Sequence, residues 1–252
     1  MPRTLFLSVV GFMLNNVILL SIKRCHMKKQ SFALRGYILI CICFSLLAVV
    51  PAAAGELTVT LLDKNGDAAG DGVVSLTPKD ASQSLPPVPL AEAVMDQVNK
   101  EFVPHVLPVR TDTRVRFPNS DNIRHHVYSF SKPKIMELKL YSQGESNAVV
   151  FDKPGVVVLG CNIHDWMVGY IYVVDAPYFA KSGADGKAVV SGVPSGSYAM
   201  QVWHPRMKGK PLRQDIEISD TGSVAQEIRL PLKKKRKIKR HRQYKYNQNS
   251  YK

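Results

Sequence analysis

Cys161, His164 and Met167 stand three residues apart in GVVVLGCNIHDWMVGYIYVV (155–174), and His125 and His126 stand side by side upstream in RFPNSDNIRHHVYSF (116–130). A thiol, imidazoles and a thioether are soft or borderline donors. Together they select late transition metals over magnesium or calcium, which take oxygen. An ion cycling between Cu(I) and Cu(II) needs a thiolate for its reduced state and imidazoles acceptable to both states. Two His and one Cys in a plane, with a weak axial Met, meet that need. On this reading Cys161, His164 and Met167 come from one loop at a strand end, and an earlier strand supplies the missing imidazole. Side chains alternate along a strand, so His125 and His126 cannot both face one ion on regular backbone, and alternation alone does not choose between them. Zinc on Cys161, His125 and His164 is the competing metal, but structural zinc wants four strong ligands and catalytic zinc an open position with a base. Asp165 is read as the only nearby carboxylate, and as exposed. Trp166, between two candidate ligands, either shields the metal, offers an exposed apolar contact or packs in the core. His105 and His204 read as structural histidines, and Trp203 as core. No Ser-His-Asp set, phosphate-binding glycine loop or paired carboxylates are evident, so the chain is not read as an enzyme.

The elements that must position these residues are short and β-rich. From Gly55 onward, runs such as LTVTLL, GVVSLTP, VRTDTRVRF, HHVYSF, NAVVF, GVVVLG, MVGYIYVV, KAVVSG, YAMQVW, QDIEIS and AQEIRL alternate with Gly, Pro, Asn and Asp turns. That spacing predicts an all-β sandwich architecture. The one helical candidate is the short AEAVMDQVNK (91–100). Asn65-Gly66 predicts a hairpin joining LTVTLL to GVVSLTP. QSLPPVPL (83–90) reads as a linker or edge crossing, since proline cannot donate to a central ladder.

The termini bound the compartment. Residues 27–54 carry Lys28, Lys29 and Arg35, an apolar run from Tyr37 to Val50, and Ala52-Ala53-Ala54, the pattern of a secretory signal cut after Ala54. Residues 1–26 then read as an upstream start-site extension; a membrane hairpin of the two apolar stretches is the alternative. With Cys25, Cys41 and Cys43 removed, Cys161 is the single mature thiol, in an oxidising compartment where it should be protected, buried or metal-bound. The net charge of +14 divides unevenly. Residues 233–252 hold ten Lys or Arg and no acid, residues 1–54 hold six and no acid, and taking both away leaves −2 on residues 55–232. The basicity belongs to a tail, read as disordered and solvated or docking an acidic protein or anionic membrane surface. Nucleic acid is a poor partner for an exported protein.

Two resemblances follow from these motifs. FPNSDNIRHHVYSFS resembles the F-x-N-x-D-x-x-x-H-N-V-F-S segment of plastocyanin-like cupredoxins. FDKPGVVVLGCNIHDWMVGYIYV (151–173) resembles their F-x-x-P-G-x-x-x-x-x-C-x-x-H-x-x-M segment, with the short His-Met gap of amicyanin. The first match puts His125 at the ligand position and His126 where the family usually has Asn; counting back from Phe130, as in H-N-V-x-F, favours His126. The reading adopted takes His125. Gly160 stands where the family has an aromatic residue. The chain as a whole resembles the periplasmic proteins called methylamine utilization proteins. The resemblance implies a Greek-key cupredoxin β-sandwich over 90–175, holding one type 1 copper on His125, Cys161, His164 and Met167, with His126 and Trp166 beside it or His126 as alternative ligand. It implies a periplasmic carrier of single electrons between redox partner proteins; a copper-sequestering or structural sandwich module is the alternative. Residues 55–80 and 176–232 resemble the carboxypeptidase regulatory-like (Ig/transthyretin-like) β-sandwich, through turn motifs such as GADGKAVVSGVPSGSY. They would form one smaller sandwich split by the cupredoxin, or else two tandem domains.

Overall fold

The computed structural model describes residues 55–80, 92–219 and 223–234. The readings of the extension, the signal, the Pro-rich 83–90 and the tail beyond Lys234 lie outside the described residues. Every regular element described is a strand, so the all-β class expected from the sequence is what the structure has. In chain order they are β1 (Gly55–Asp63), β2 (Val73–Pro78), β3 (Glu92–Val94), β4 (Asp96–Val98), β5 (Glu101–Val103), β6 (Val106–Arg110), β7 (Thr113–Pro118), β8 (His125–Ser131) and β9 (Lys134–Tyr141). There follow β10 (Ser146–Phe151), β11 (Gly155–Cys161), β12 (Val168–Val174), β13 (Tyr178–Lys181), β14 (Lys187–Val193), β15 (Gly196–Trp203), β16 (Leu212–Ile218) and β17 (Ser223–Leu230).

The ends of the described chain build one pair of sheets, β14-β1-β17 and β13-β2-β15-β16. Alternation along β1 sends Leu57, Val59 and Leu61 inward, where they meet Val74 and Leu76 of β2 and Tyr198, Met200 and Val202 of β15. Burying each such aliphatic side chain stabilises the fold by roughly 1.5–3 kcal/mol. The expected hairpin does not form, because β1 and β2 fall in opposite sheets. The Asn65-Gly66 turn exists: Gly66 has φ 90°, and Asp63 Oδ1 accepts from the amides of Asn65 (2.8 Å) and Asp67 (3.1 Å). It reverses the chain only as far as a single bridge between Leu62 and Ala68. The apolar faces of LTVTLL and VVSLTP are then buried against each other across the core, which pairing edge to edge would not achieve.

The middle of the chain builds the second pair, β10-β7-β3 and β6-β12-β11-β8-β9. Its core holds Met95, Val115, Phe117, Val127, Phe151, Val157, Leu159 and Ile171, with the rings of Phe117 and Phe151 6.4 Å apart. Trp203 is buried, as expected, but where the two pairs meet: it stacks on Tyr172 at 4.7 Å, among Val73, Val106 and Val174.

Residues 91–100 are not helical. Ala93 is half-buried and Met95 and Gln97 are fully buried, a period of two, and the segment forms β3, paired with β7, and β4, paired with β5. A helix would have thrown Gln97 and Met95 onto different sides, so the pairing partners decide against local propensity. The two-residue turn from β4 to β5 uses Asn99 (φ 54°) and Lys100 (φ 60°), the left-handed geometry that suits a tight hairpin. VRTDTRVRF is likewise broken into β6 and β7 at Asp112, whose φ is 69°.

Candidate metal centre

Strand β8 separates the two neighbouring histidines by face. Its burial alternates, with His125, Val127 and Ser129 inside and His126, Tyr128 and Phe130 outside. His126 bonds through Nε2 to Glu137 Oε1 at 2.9 Å on the outer face of the sheet, so it stands apart from the other candidate donors. On the neighbouring strand β9 the register slips: His125 faces Tyr141 while Val127 faces Leu138. The extra residue is a bulge that returns Tyr141 to the interior behind His125.

Strand β11 is central in its sheet, between β12 and β8, and ends at Cys161, paired with Val127. Two bonds then shape the loop back into β12. The Asn162 amide donates to His126 O (3.0 Å), and the Met167 amide donates to His164 O (2.9 Å). The turn folds His164 over Cys161 and tucks Met167 into the core cluster that also holds Cys161.

His125, Cys161 and His164 thus converge, with one donor atom from each all within 4.8 Å of one another. Cys161 Sγ lies 3.6 Å from His125 Nδ1 and 3.6 Å from His164 Nδ1. An ion held at about 2.3 Å from sulfur and about 2.0 Å from nitrogen, at tetrahedral to trigonal angles, separates those atoms by about 3.5–3.7 Å. Both sulfur-to-nitrogen distances therefore match a span that one metal ion can bridge. Among the described residues this is the one such group of three or more His, Cys or acidic side chains. A thiol and two imidazoles are donors suited to a late transition metal. His125 is fully buried, and Cys161 (3%), Met167 (1%) and His164 (9%) are nearly so. The Trp166 ring, half-buried, lies 5.4 Å from that of His164.

Asp165 is exposed, as read from the sequence, but it is not the only nearby carboxylate. Asp121 Oδ2 lies 2.8 Å from His125 Nε2, on the side of the ring away from Cys161. Sequence reasoning passed over it, although it lies in the quoted FPNSD motif; an acid four residues before a candidate ligand was the available signal. Burial alone would raise the Asp121 carboxyl, but bonds from the Lys100 amide, His125 and the Asn99 amide more than offset this and hold it below the usual carboxylate range. His164 is held below the ordinary imidazole value, first by burial and then by the nearby His125 and Lys100. This favours the neutral ring, with a lone pair free for a metal. Tyr141 is pushed up to about 12, chiefly by burial, with the nearby Cys161 adding to the effect.

The other two described histidines, His105 and His204, lie apart from this group. His204 Nε2 donates to Gly70 O at 2.9 Å and its Nδ1 accepts from the Arg206 amide at 3.0 Å. His105 is exposed, its ring edge-on to Tyr170 at 5.4 Å.

No family model matches the chain, and no curated protein does. Among solved structures, the chain is similar to a Cu-containing nitrite reductase (NirK) from Thermus scotoductus SA-01, at 28% identity and a TM-score of 0.32 over 39% of this chain and 25% of that one. It thus spans about a quarter of that enzyme. It is similar to a purple cupredoxin from Nitrosopumilus maritimus, at 23% identity and a TM-score of 0.30 over 33% of this chain and 99% of that one. It is also similar to an oxidized mutant of amicyanin, at 16% identity and a TM-score of 0.31 over 40% of this chain and 99% of that one.

Proposed function

We propose that the protein is a type 1 copper protein that passes single electrons between partner proteins in the periplasm. The observation that carries this reading is the convergence of His125, Cys161 and His164, with Cys161 Sγ 3.6 Å from Nδ1 of each histidine. Copper, when bound, would supply one-electron redox chemistry. The protein's part is to hold the donors still, so that little rearrangement would accompany the transfer. Cys161 would give a thiolate from the end of a central strand, His125 and His164 would give their Nδ1 atoms, and Met167, buried in the same cluster, would give a weaker sulfur donor. Burial excludes bulk water and protects the thiol from oxidation. His164, the most exposed of the three converging donors, is the natural contact point for a redox partner. The smaller sheet pair belongs to this reading as a carboxypeptidase regulatory-like sandwich split by the copper domain. The basic tail belongs to it as a contact for an acidic protein or an anionic membrane surface.

The reading is tested by loading the protein with copper and cycling it with ascorbate and ferricyanide in a stopped-flow instrument. A carrier bleaches and recovers its visible band reversibly on the millisecond to second scale. A protein that binds Cu(I) tightly and does not return to Cu(II) is a copper store, and one that takes only zinc and stays colourless sinks the proposal.

A further inference from the structure

We infer that Asp121 is the positioning residue of the metal site, and that the β4–β5 turn exists to hold it. The inference rests on the metal-site reading above and adds to it a chain of contacts running from a hairpin turn to a ligand atom. Asp121 offers two carboxylate oxygens to three donors. Oδ1 accepts the Asn99 amide at 2.6 Å, and Oδ2 accepts the Lys100 amide at 2.8 Å and faces His125 Nε2 at 2.8 Å. Both amides can point at one carboxylate because Asn99 and Lys100 adopt left-handed backbone, with φ 54° and 60°. An ionised carboxylate has no proton to give, so the hydrogen of the His125 contact sits on Nε2 and the Nδ1 lone pair is left facing Cys161.

Each end of this chain is anchored. Phe102 on β5 is buried and fills the space above Gly169 of β12, where an added Cβ would lie 2.7 Å from it. At the other end the Asn119 side chain accepts from the Asp121 amide at 3.0 Å and donates to Ile123 O at 2.8 Å and Tyr141 O at 3.2 Å. These bonds fix the loop that leads into β8. The ring of His125 is thereby set before any ion arrives, as a carboxylate partner sets a metal-bound histidine elsewhere.

Asp121→Asn tests this with almost no change of shape. An asparagine has one acceptor oxygen, so whichever way its amide turns, its NH2 faces an N–H donor. The readout begins in metal-free protein carrying 15N-labelled histidine. His125 is expected as a single tautomer with its proton on Nε2, in slow exchange with water. Asp121→Asn is expected to lose that protected signal and to weaken Co(II) binding about 10–100-fold. Asp152→Asn makes the same change at an exposed carboxylate that pairs with Lys134 away from the site, and is expected to leave both readouts unchanged. A wild-type His125 protonated on Nδ1 overturns the inference without recourse to any variant. So does an Asp121→Asn protein that keeps the protected signal and wild-type Co(II) affinity, or an Asp152→Asn protein that loses as much as Asp121→Asn. If the wild type binds no Co(II) while the tautomer contrast holds, the metal reading fails and the positioning of His125 by Asp121 stands.

Discussion

The ring of Tyr128 lies where a side chain on Gly160 would stand. A Cβ added to Gly160 would come within 2.7 Å of Tyr128 Cζ and 2.8 Å of its hydroxyl, and the two residues face each other across β8 and β11. The residue before the cysteine is a glycine here because the aromatic group that covers this flank comes from the neighbouring strand. Gly160→Ala is therefore expected to push the Tyr128 ring outward and cost about 1 kcal/mol, the low end for overpacking, because a half-buried ring can swing. Gly160→Phe combined with Tyr128→Gly moves the aromatic to the other strand and should recover much of the loss of Gly160→Phe alone. Chemical denaturation of the four proteins measures the coupling.

His125→Ala is expected to remove copper binding or convert it to a weak site of different colour, since the ring is buried and aimed at Cys161. His126→Ala is expected to leave the visible spectrum close to wild type, because His126 is occupied by Glu137 on the opposite face. The two spectra side by side check the assignment, and the reverse order of effects overturns it.

Stability should fall on acidification through a group outside the candidate metal centre. His204 titrates at about 4 in the folded protein, its ordinary value lowered mainly by burial. Unfolding releases it to about 6.5, so between those values the unfolded state binds more protons and stability falls with falling pH. The loss is largest, about 3 kcal/mol, at and below pH 4. His204→Gln should flatten the slope of the urea midpoint between pH 6.5 and 4; an unchanged slope would assign it to other groups.

Gly186→Ala should be among the most damaging small substitutions in the smaller sheet pair. Gly186 has φ 79°, and an added Cβ would sit 2.4 Å from Leu61 O, a backbone atom that cannot move aside. Left-handed backbone and the steric overlap together should cost at least about 2 kcal/mol, read as a lower thermal midpoint.

What the sequence revealed and concealed follows from the range of the forces involved. The converging donors were legible because they depend on spacing along two strands: C-x-x-H-x-x-M reads directly, and strand alternation limits the upstream imidazole to one of two neighbours. Alternation alone left His125 and His126 open, because the choice depends on which face of β8 is packed, and the preference for His125 came from the resemblance. Asp121 was missed because its role comes from Asn99 and Lys100, which bond to it from another strand pair, and because the segment holding them looked helical when read locally. The hairpin expected at Asn65-Gly66 failed for a related reason: a turn signal fixes the reversal but not the sheet the next strand joins. KIMELKLY went unassigned because it is an edge strand whose outward residues Ile135, Glu137, Lys139 and Leu140 are exposed, so its pattern lacks the clean apolar alternation of its neighbours.

Whether Cys161, with His125 and His164, holds one redox-active copper ion is measured most directly by a Cu(II) titration followed by visible absorption. An intense thiolate-to-Cu(II) band is expected that saturates at one equivalent and disappears in Cys161→Ser. A wild-type protein that develops no such band, or one whose band survives Cys161→Ser, overturns the copper assignment.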